Sequence, residues 1–241
     1  MFFPHLMNIK FADKVLEIGP GAYPYWRSNC LADVFDETSQ VDLTQFGGAA
    51  LSTKGKPLFL IENNVLPFKD NTFDYVICSH VFEHVPATEL PQLISEILRV
   101  GKKAYIEFPR PLYDYLYNFD VHLNLMDIVN DEIICLDKSL TQLSSVKAFQ
   151  RLAYTLRKND QFSIDEYFAP VVAIGKEFAG KIPLRVLDSE IEFFELVLNN
   201  TYSVTVPSIH WKIYNRIRPA RIFRQIVGEK KRDQFLSLLL K

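Results

Sequence analysis

The chain has 241 residues, enough for one domain with an appendage and a full apolar core. Hydrophobic residues make up 48% and charged residues 23%, which excludes wholesale disorder. No apolar run reaches the roughly 18 residues that a membrane-spanning helix needs. The net charge of −2 hides an asymmetry: Ser208–Lys241 holds nine Lys/Arg against two Asp/Glu, and the other 207 residues hold 18 against 27.

The N-terminus lacks the basic and long apolar regions of a signal peptide, so none is expected. Lys14–Ile18 is a short strand closed by Gly19-Pro20-Gly21. Leu31–Asp36, Pro57–Glu62 and Phe73–Ser79 are predicted as the next three strands. The last is almost wholly apolar, as a strand buried on both faces should be. Thr88 is placed to cap a helix whose stripe is Leu90, Leu93, Ile94, Ile97 and Leu98. Gly101 stands where that helix should stop. Lys103–Phe108 is a fifth strand. Strands alternating with connectors of this length imply a parallel sheet with crossover helices. Beyond Pro109 the pattern is less regular. Leu123–Leu136 reads as a hairpin turning at Asn130-Asp131. Leu140–Arg157 and Ile164–Phe178 read as helices. Glu192–Leu198 and Tyr202–Val206 read as a second hairpin. One of the two hairpins is expected to add antiparallel strands to the sheet. Cys30, Cys78 and Cys135 lie in apolar runs with no zinc spacing. They are expected to be reduced core thiols of a cytoplasmic protein.

Glycine is scarce, at nine residues, so the pair Gly19 and Gly21 at the end of the first strand needs a reason. In open α/β sheets ligands bind beyond the carboxyl ends of the strands. Gly19 permits the turn, and Gly21 removes a side chain where a ligand approaches the backbone. The third glycine of a dinucleotide fingerprint is absent. Glu17 would repel a diphosphate and suit a cationic ligand instead.

The run Glu17-Ile18-Gly19-Pro20-Gly21 resembles the E/D-x-G-x-G motif of class I S-adenosylmethionine-dependent methyltransferases. Leu66-Pro67-Phe68-Lys69-Asp70 followed by Phe73-Asp74-Tyr75-Val76 resembles the LPF–FD signature of the methyltransferase type 11 group. Ser79-His80-Val81-Phe82-Glu83-His84-Val85 and Leu98-Arg99-Val100 match its later motifs. The resemblance covers about residues 13–110. It implies a doubly wound, mostly parallel α/β sheet of Rossmann-like type with helical C-terminal additions. It also implies a methyltransferase domain over 1–207, with the cofactor core at about 11–110 and an acceptor or lid region at about 110–207. S-adenosylmethionine is the implied cofactor. Glu17, Gly19, Pro20 and Gly21 would hold its amino-acid end, and Asp36 its ribose, with Asp33 as the alternative. Glu62 and Asn63 would hold the adenine, and Ser79 and His80 would lie near the methyl group. Three departures stand out. Glu62 replaces the usual Asp, Lys102-Lys103 replaces a glycine pair, and little chain precedes the first strand.

His80, His84 and His122 are the candidate catalytic groups, as general bases or acceptor-polarising residues. His80-x-x-Glu83-His84 formally matches a zinc-peptidase pattern, but His80 follows a strand rather than lying on a helix with His84. The resemblance offers a second option, since some related O-methyltransferases carry E-x-x-E-H here and bind a divalent metal. By that option His80, Glu83, His84 and His122 would converge on an ion. The favoured alternative is that Glu83 and His84 brace the loop without metal. Tyr113, Tyr115, Tyr117 and Phe119 would form either an aromatic acceptor wall or a half-buried helix.

Residues 208–241 interleave Arg216, Arg218, Arg221 and Arg224 with Ile213, Ile217, Ile222 and Phe223. This basic amphipathic tail would dock on the acidic body, lie on an anionic membrane surface, or meet RNA, in that order. The function expected is methyl transfer to an O or N atom of a small-molecule acceptor. The rivals are a non-catalytic cofactor-binding scaffold, a dinucleotide oxidoreductase, and an RNA- or membrane-associated methyltransferase at the inner membrane face.

Overall fold

The computed structural model describes residues 3–39, 50–158 and 169–199. Six strands form the main sheet: β1 (Val15–Ile18), β2 (Cys30–Asp33), β3 (Leu58–Leu60), β4 (Tyr75–Ser79), β5 (Lys103–Pro109) and β8 (Ala173–Ala179). Their order is β3-β2-β1-β4-β5-β8. All pairs are parallel except β5 with β8. The chain leaves β1 to one side for β2 and β3, then returns to its other side for β4. That reversal opens a crevice above the carboxyl ends of β1 and β4. β1 and β2 are buried throughout, as strands covered on both faces must be.

Helix α1 (Leu90–Val100) buries Leu90, Leu93, Ile94, Ile97 and Val100 on the sheet. Thr88 does not cap it: the N-cap is Glu89, which makes no side-chain cap bond. Gly101 does end it, but in an extended conformation with φ −126. A Cβ there would sit 2.4 Å from Val76 Cγ2, so close packing on β4 requires the glycine.

A second sheet runs β6-β7-β9, from β6 (Asn124–Val129), β7 (Glu132–Asp137) and β9 (Leu184–Leu187). The hairpin turns at Asn130 and Asp131, both at positive φ, as expected. Its two faces bury different cores. Met126, Ile128, Ile133 and Cys135 join the core of the main sheet. Leu125, Val129, Ile134 and Leu136 pack with Leu143, Phe193 and Val197.

Four expectations need correction. Among the described residues neither predicted hairpin adds to the main sheet: β6 and β7 form their own, and the antiparallel edge is β8. Part of the predicted helix Ile164–Phe178 is therefore strand. Only the short α4 (Ala169–Val172) precedes it, and 159–168 lie outside the described residues. Gly175 in β8 leaves room for Tyr105 of β5, whose Oη a Cβ there would meet at 2.0 Å. The segment Glu192–Leu198 is helix α5 (Glu190–Asn199) rather than a hairpin arm. Ser189 Oγ accepts from Glu192 N at 3.3 Å at its start, and Phe193 and Val197 give an i, i+4 buried pair. The predicted helix from Leu140 begins at Lys147, as α3 (Lys147–Lys158). Tyr202–Val206 and the basic tail lie outside the described residues. The three cysteines are buried and unpaired. Among the described residues no helix is long and apolar enough to cross a membrane.

Candidate functional site

A cavity of about 540 Å³ lies over the crevice between β1 and β4. That volume falls within the roughly 300–1,000 Å³ typical of small-molecule sites. One wall is the turn Gly19, Pro20, Gly21 and Ala22. Gly19 and Gly21 have φ +64 and +55, conformations that favour glycine. A Cβ on Gly19 would lie 2.3 Å from Val81 Cγ2, so this glycine lets β1 and the end of β4 close together at the floor.

Glu17 does not line the cavity. It is buried, and its Oε2 accepts from Tyr25 N at 2.8 Å and Ser28 Oγ at 2.7 Å. Burial raises its carboxyl above the usual range despite those bonds. Glu17 thus braces the glycine turn from behind.

At the end of β2, Asp33 lines the cavity and Asp36 does not. The strand stops three residues earlier than predicted. Asp36 is spent on a local turn, its Oδ1 accepting from Thr38 N, Thr38 Oγ1 and Ser39 Oγ. Asp33 is 6% exposed, and burial pushes its carboxyl up to about 6 against backbone hydrogen bonds from Phe35 and Val34. A similar shift of register occurs after β3. Asn63 and Asn64 both have positive φ, and Val65 N donates to Glu62 O at 2.9 Å. That tight turn leaves Glu62 and Asn63 exposed and brings Ile61 and Asn64 to the cavity.

Ser79 and His80 line the cavity at the end of β4. His80 holds a left-handed backbone, φ +58, and its N–H donates to Glu107 O at 2.7 Å. Its Nδ1 is 3.0 Å from Glu83 Oε1 and its Nε2 is 3.3 Å from Glu107 Oε1. Burial opposes charging this ring, but hydrogen bonds to Glu107 and Glu83 win and raise it to about 9. An imidazolium between two carboxylates has no lone pair to receive a proton. His80 is therefore a fixed cation at neutral pH, not the general base the sequence suggested. Glu107 is fully buried and accepts further from Ser79 Oγ, Tyr105 Oη and Phe3 N. Burial opposes its ionisation, yet the bond to His80 holds its carboxyl far below the usual range.

His84 lines the cavity and His122 packs on it, ring centroids 5.0 Å apart. His84 Nδ1 is 2.8 Å from Val121 O, and His122 Nδ1 is 2.8 Å from Asp114 Oδ2. Both partners accept only, so each Nδ1 carries a proton. The aromatic run Tyr113–Phe119 falls largely on α2 (Pro111–Tyr117), which buries Pro111, Asp114 and Tyr117. None of these aromatics lines the cavity. Sequence reasoning did not select Glu107, Ile61 or Asn64. Glu107 was legible only as the one acid inside an apolar strand.

The LPF–FD motif has a structural role here. Arg99 of α1 donates to Leu66 O, Phe68 O, Asp70 and Glu96 at 2.6–2.9 Å, and pins the 66–70 loop to the helix.

Residues 16–104 match the family model described as "Methyltransferase domain". No curated protein matches the chain. Among solved structures, the chain is similar to the PH0226 protein from Pyrococcus horikoshii OT3, at 20% identity over 41% of this chain and 47% of that one, TM-score 0.32. A Thermotoga maritima protein described as an S-adenosylmethionine-dependent methyltransferase and possible histamine N-methyltransferase aligns at 16% identity. It covers 42% of this chain and 45% of its own, TM-score 0.30. An S-adenosylmethionine-dependent methyltransferase from Methanosarcina mazei aligns at 17% identity over 51% and 69%, TM-score 0.32. The chain thus spans about half the length of the first two of these structures. Residues 16–104 thus carry a match to the methyltransferase domain, with the glycine turn at the end of β1 and the Ser79–Val85 motif at the end of β4.

Proposed function

We propose that the protein transfers a methyl group from S-adenosylmethionine to an oxygen or nitrogen of a small-molecule acceptor. The observation that carries this reading is the cavity itself. A bare-backbone glycine turn, a buried acid (Asp33) and a polar strand end (Ser79) line one chamber above the sheet's reversal point. Those residues fit the cofactor. The turn Gly19–Ala22 receives its amino-acid end, Asp33 its ribose hydroxyls, and Ile61 and Asn64 flank the base. Bound S-adenosylmethionine supplies an already activated methyl group. The protein's own work is then to orient the acceptor, exclude water and hold a proton acceptor nearby.

His84 fits that last role better than His80. It lines the cavity with its ring held through Nδ1, while His80 is charged. The fixed His80–Glu107–Glu83 ion group sets the electrostatics of the chamber floor. Reduced cysteines agree with a cytoplasmic setting. The test is calorimetric binding of S-adenosylhomocysteine, followed by methyl transfer across an acceptor panel. Wild type should bind in the micromolar range, and Gly21→Val should lose at least about a hundredfold by blocking the turn. Retained affinity in Gly21→Val would sink the site. Binding without transfer to any acceptor would favour a non-catalytic scaffold.

A further inference from the structure

We infer that the amino end of the main sheet is a docking surface for an anionic phospholipid bilayer, centred on Phe11, Trp26 and Arg27. The inference rests on the fold and not on the identity of the methyl donor. The connectors that enter β1, β2 and β3 (residues 8–14, 26–29 and 54–57) come together at one end of the sheet, because these three strands run parallel. Hydrogen bonds tie them into one platform. Arg27 Nη2 donates to Lys10 O at 2.6 Å and Phe11 O at 3.0 Å, and Lys56 Nζ donates to Trp26 O at 3.2 Å.

Two properties fit this platform to a membrane surface. The first is apolar. Phe11 is 96% exposed and Trp26 71% exposed, and taking rings of that size out of water is favourable. The Arg27 guanidinium carbon lies 5.7 Å from the centroid of each ring, so one cation holds both in place. Aromatic rings beside basic side chains are the composition of surfaces that sit at the headgroup level of a bilayer. The second property is electrostatic. The three connectors carry Lys10, Lys14, Arg27, Lys54 and Lys56 against a single acid, Asp13. The acids that lead into β4, Asp70 and Asp74, are met by Arg99 and Lys102. This cationic end belongs to a body that is acidic as a whole, with 18 basic against 27 acidic groups outside Ser208–Lys241. A planar anionic surface can touch the cationic end alone and leave the acidic remainder in water.

The platform's place in the fold separates this partner from RNA. The cavity lies at the carboxyl ends of β1 and β4, the opposite end of the same sheet. An RNA acceptor would need its cations and stacking rings at the cavity mouth, whereas these stand at the far end and serve attachment. Single-stranded RNA also needs ring faces to stack on, and Arg27 already lies over both rings. A docked chain would hold its cavity turned away from the bilayer, open to acceptors that arrive through water.

The full chain should co-sediment with vesicles of equal parts phosphatidylglycerol and phosphatidylcholine and not with pure phosphatidylcholine. Binding should fall at least about tenfold between roughly 0.1 and 0.5 M salt. Phe11→Ser with Trp26→Ser, and separately Lys10→Glu with Lys54→Glu, should each weaken it at least about tenfold. All four side chains are exposed, so neither pair of changes opens the core. Trp211→Phe leaves Trp26 as the sole tryptophan, and its emission should shift to the blue on vesicles and be quenched by brominated lipid. No vesicle binding, binding unchanged in both double variants, or an unshifted Trp26 emission would each overturn the inference. So would single-stranded RNA or a second copy of the chain binding through Phe11 and Trp26 in place of vesicles. S-adenosylhomocysteine affinity should be the same in wild type and both double variants, so this inference and the methyl-donor reading fail independently.

Discussion

Asp33 and Asp36 differ by one helical turn's worth of sequence and by everything that decides a ligand's choice. Asp36 has its Oδ1 taken by Thr38 and Ser39, away from the cavity. Asp33 is buried at the cavity and titrates near 6. A carboxylate that is expensive to ionise in the empty chamber gains most from donors brought by a ligand. Two ribose hydroxyls would stabilise its charged form. Cofactor affinity should therefore be full above pH 7 and fall as pH drops through 6, by up to about tenfold per unit, as the acid takes up a proton. Calorimetry with S-adenosylhomocysteine at pH 5, 6, 7 and 8 measures this. Asp33→Asn should bind at least about tenfold more weakly and show a flat profile. Asp36→Ala should change little. An affinity loss in Asp36→Ala with none in Asp33→Asn would reverse the assignment. The sequence placed an acid near this strand end but misjudged which one. Residue counting assumed that the strand ran to Asp36, whereas Val34 and Phe35 already belong to the cavity loop.

Elements succeed or fail as wholes, and their errors have identifiable causes. The first five strands and α1 were legible because apolar runs ending in Gly, Pro or an acid leave few alternatives. Arg99 shows how a motif recognised in sequence can be structural. Its planar fork takes two backbone carbonyls and two carboxylates at once, a task Lys cannot repeat. Arg99→Met should lower stability by about 2–3 kcal/mol in urea unfolding while leaving S-adenosylhomocysteine affinity unchanged. Arg99→Lys should recover little of the loss. Helix α5 shows the opposite case. Its sequence, Glu-Ile-Glu-Phe-Phe-Glu-Leu-Val-Leu, alternates well enough to resemble a strand. The Ser189 cap, acids in the first turn and a buried partner for Phe193 settle it as helix. Phe193→Ala should cost about 3–5 kcal/mol, seen as a loss in the denaturation midpoint. A cost under about 1 kcal/mol would mean that α5 is only loosely docked.

At the scale of the molecule, the site depends on parts that share no sequence neighbourhood. Glu83 and His84 come from the turn after β4. His122 comes from the loop before β6, and its support Asp114 from α2. No local pattern announces such a meeting. The histidines were legible as candidates, while their division into one ring held between two carboxylates and two rings oriented through Nδ1 came only from three-dimensional partners. The two sheets also share a core, since one face of β6 and β7 packs into the cluster that covers β1 and β4. Amides of Ile106 and Ile133 should therefore exchange hydrogen through the same global opening, with equal free energies. Markedly faster exchange at Ile133 would show that the second sheet opens by itself.

The bare position at Gly175 bears on how the protein comes to exist. Gly175 faces Glu107 across the β5–β8 pair, and the Tyr105 ring fills the space its side chain would take. Tyr105 in turn donates to Glu107, the buried anion beneath His80. A nascent chain that has emerged only through β5 holds the family's motifs but cannot close this arrangement. Its β5 edge stays open to pairing with other chains until Ala179 leaves the ribosome. Competence to bind ligand is thus acquired late in synthesis, and fragments cut near residue 110 should aggregate rather than report on the cofactor site.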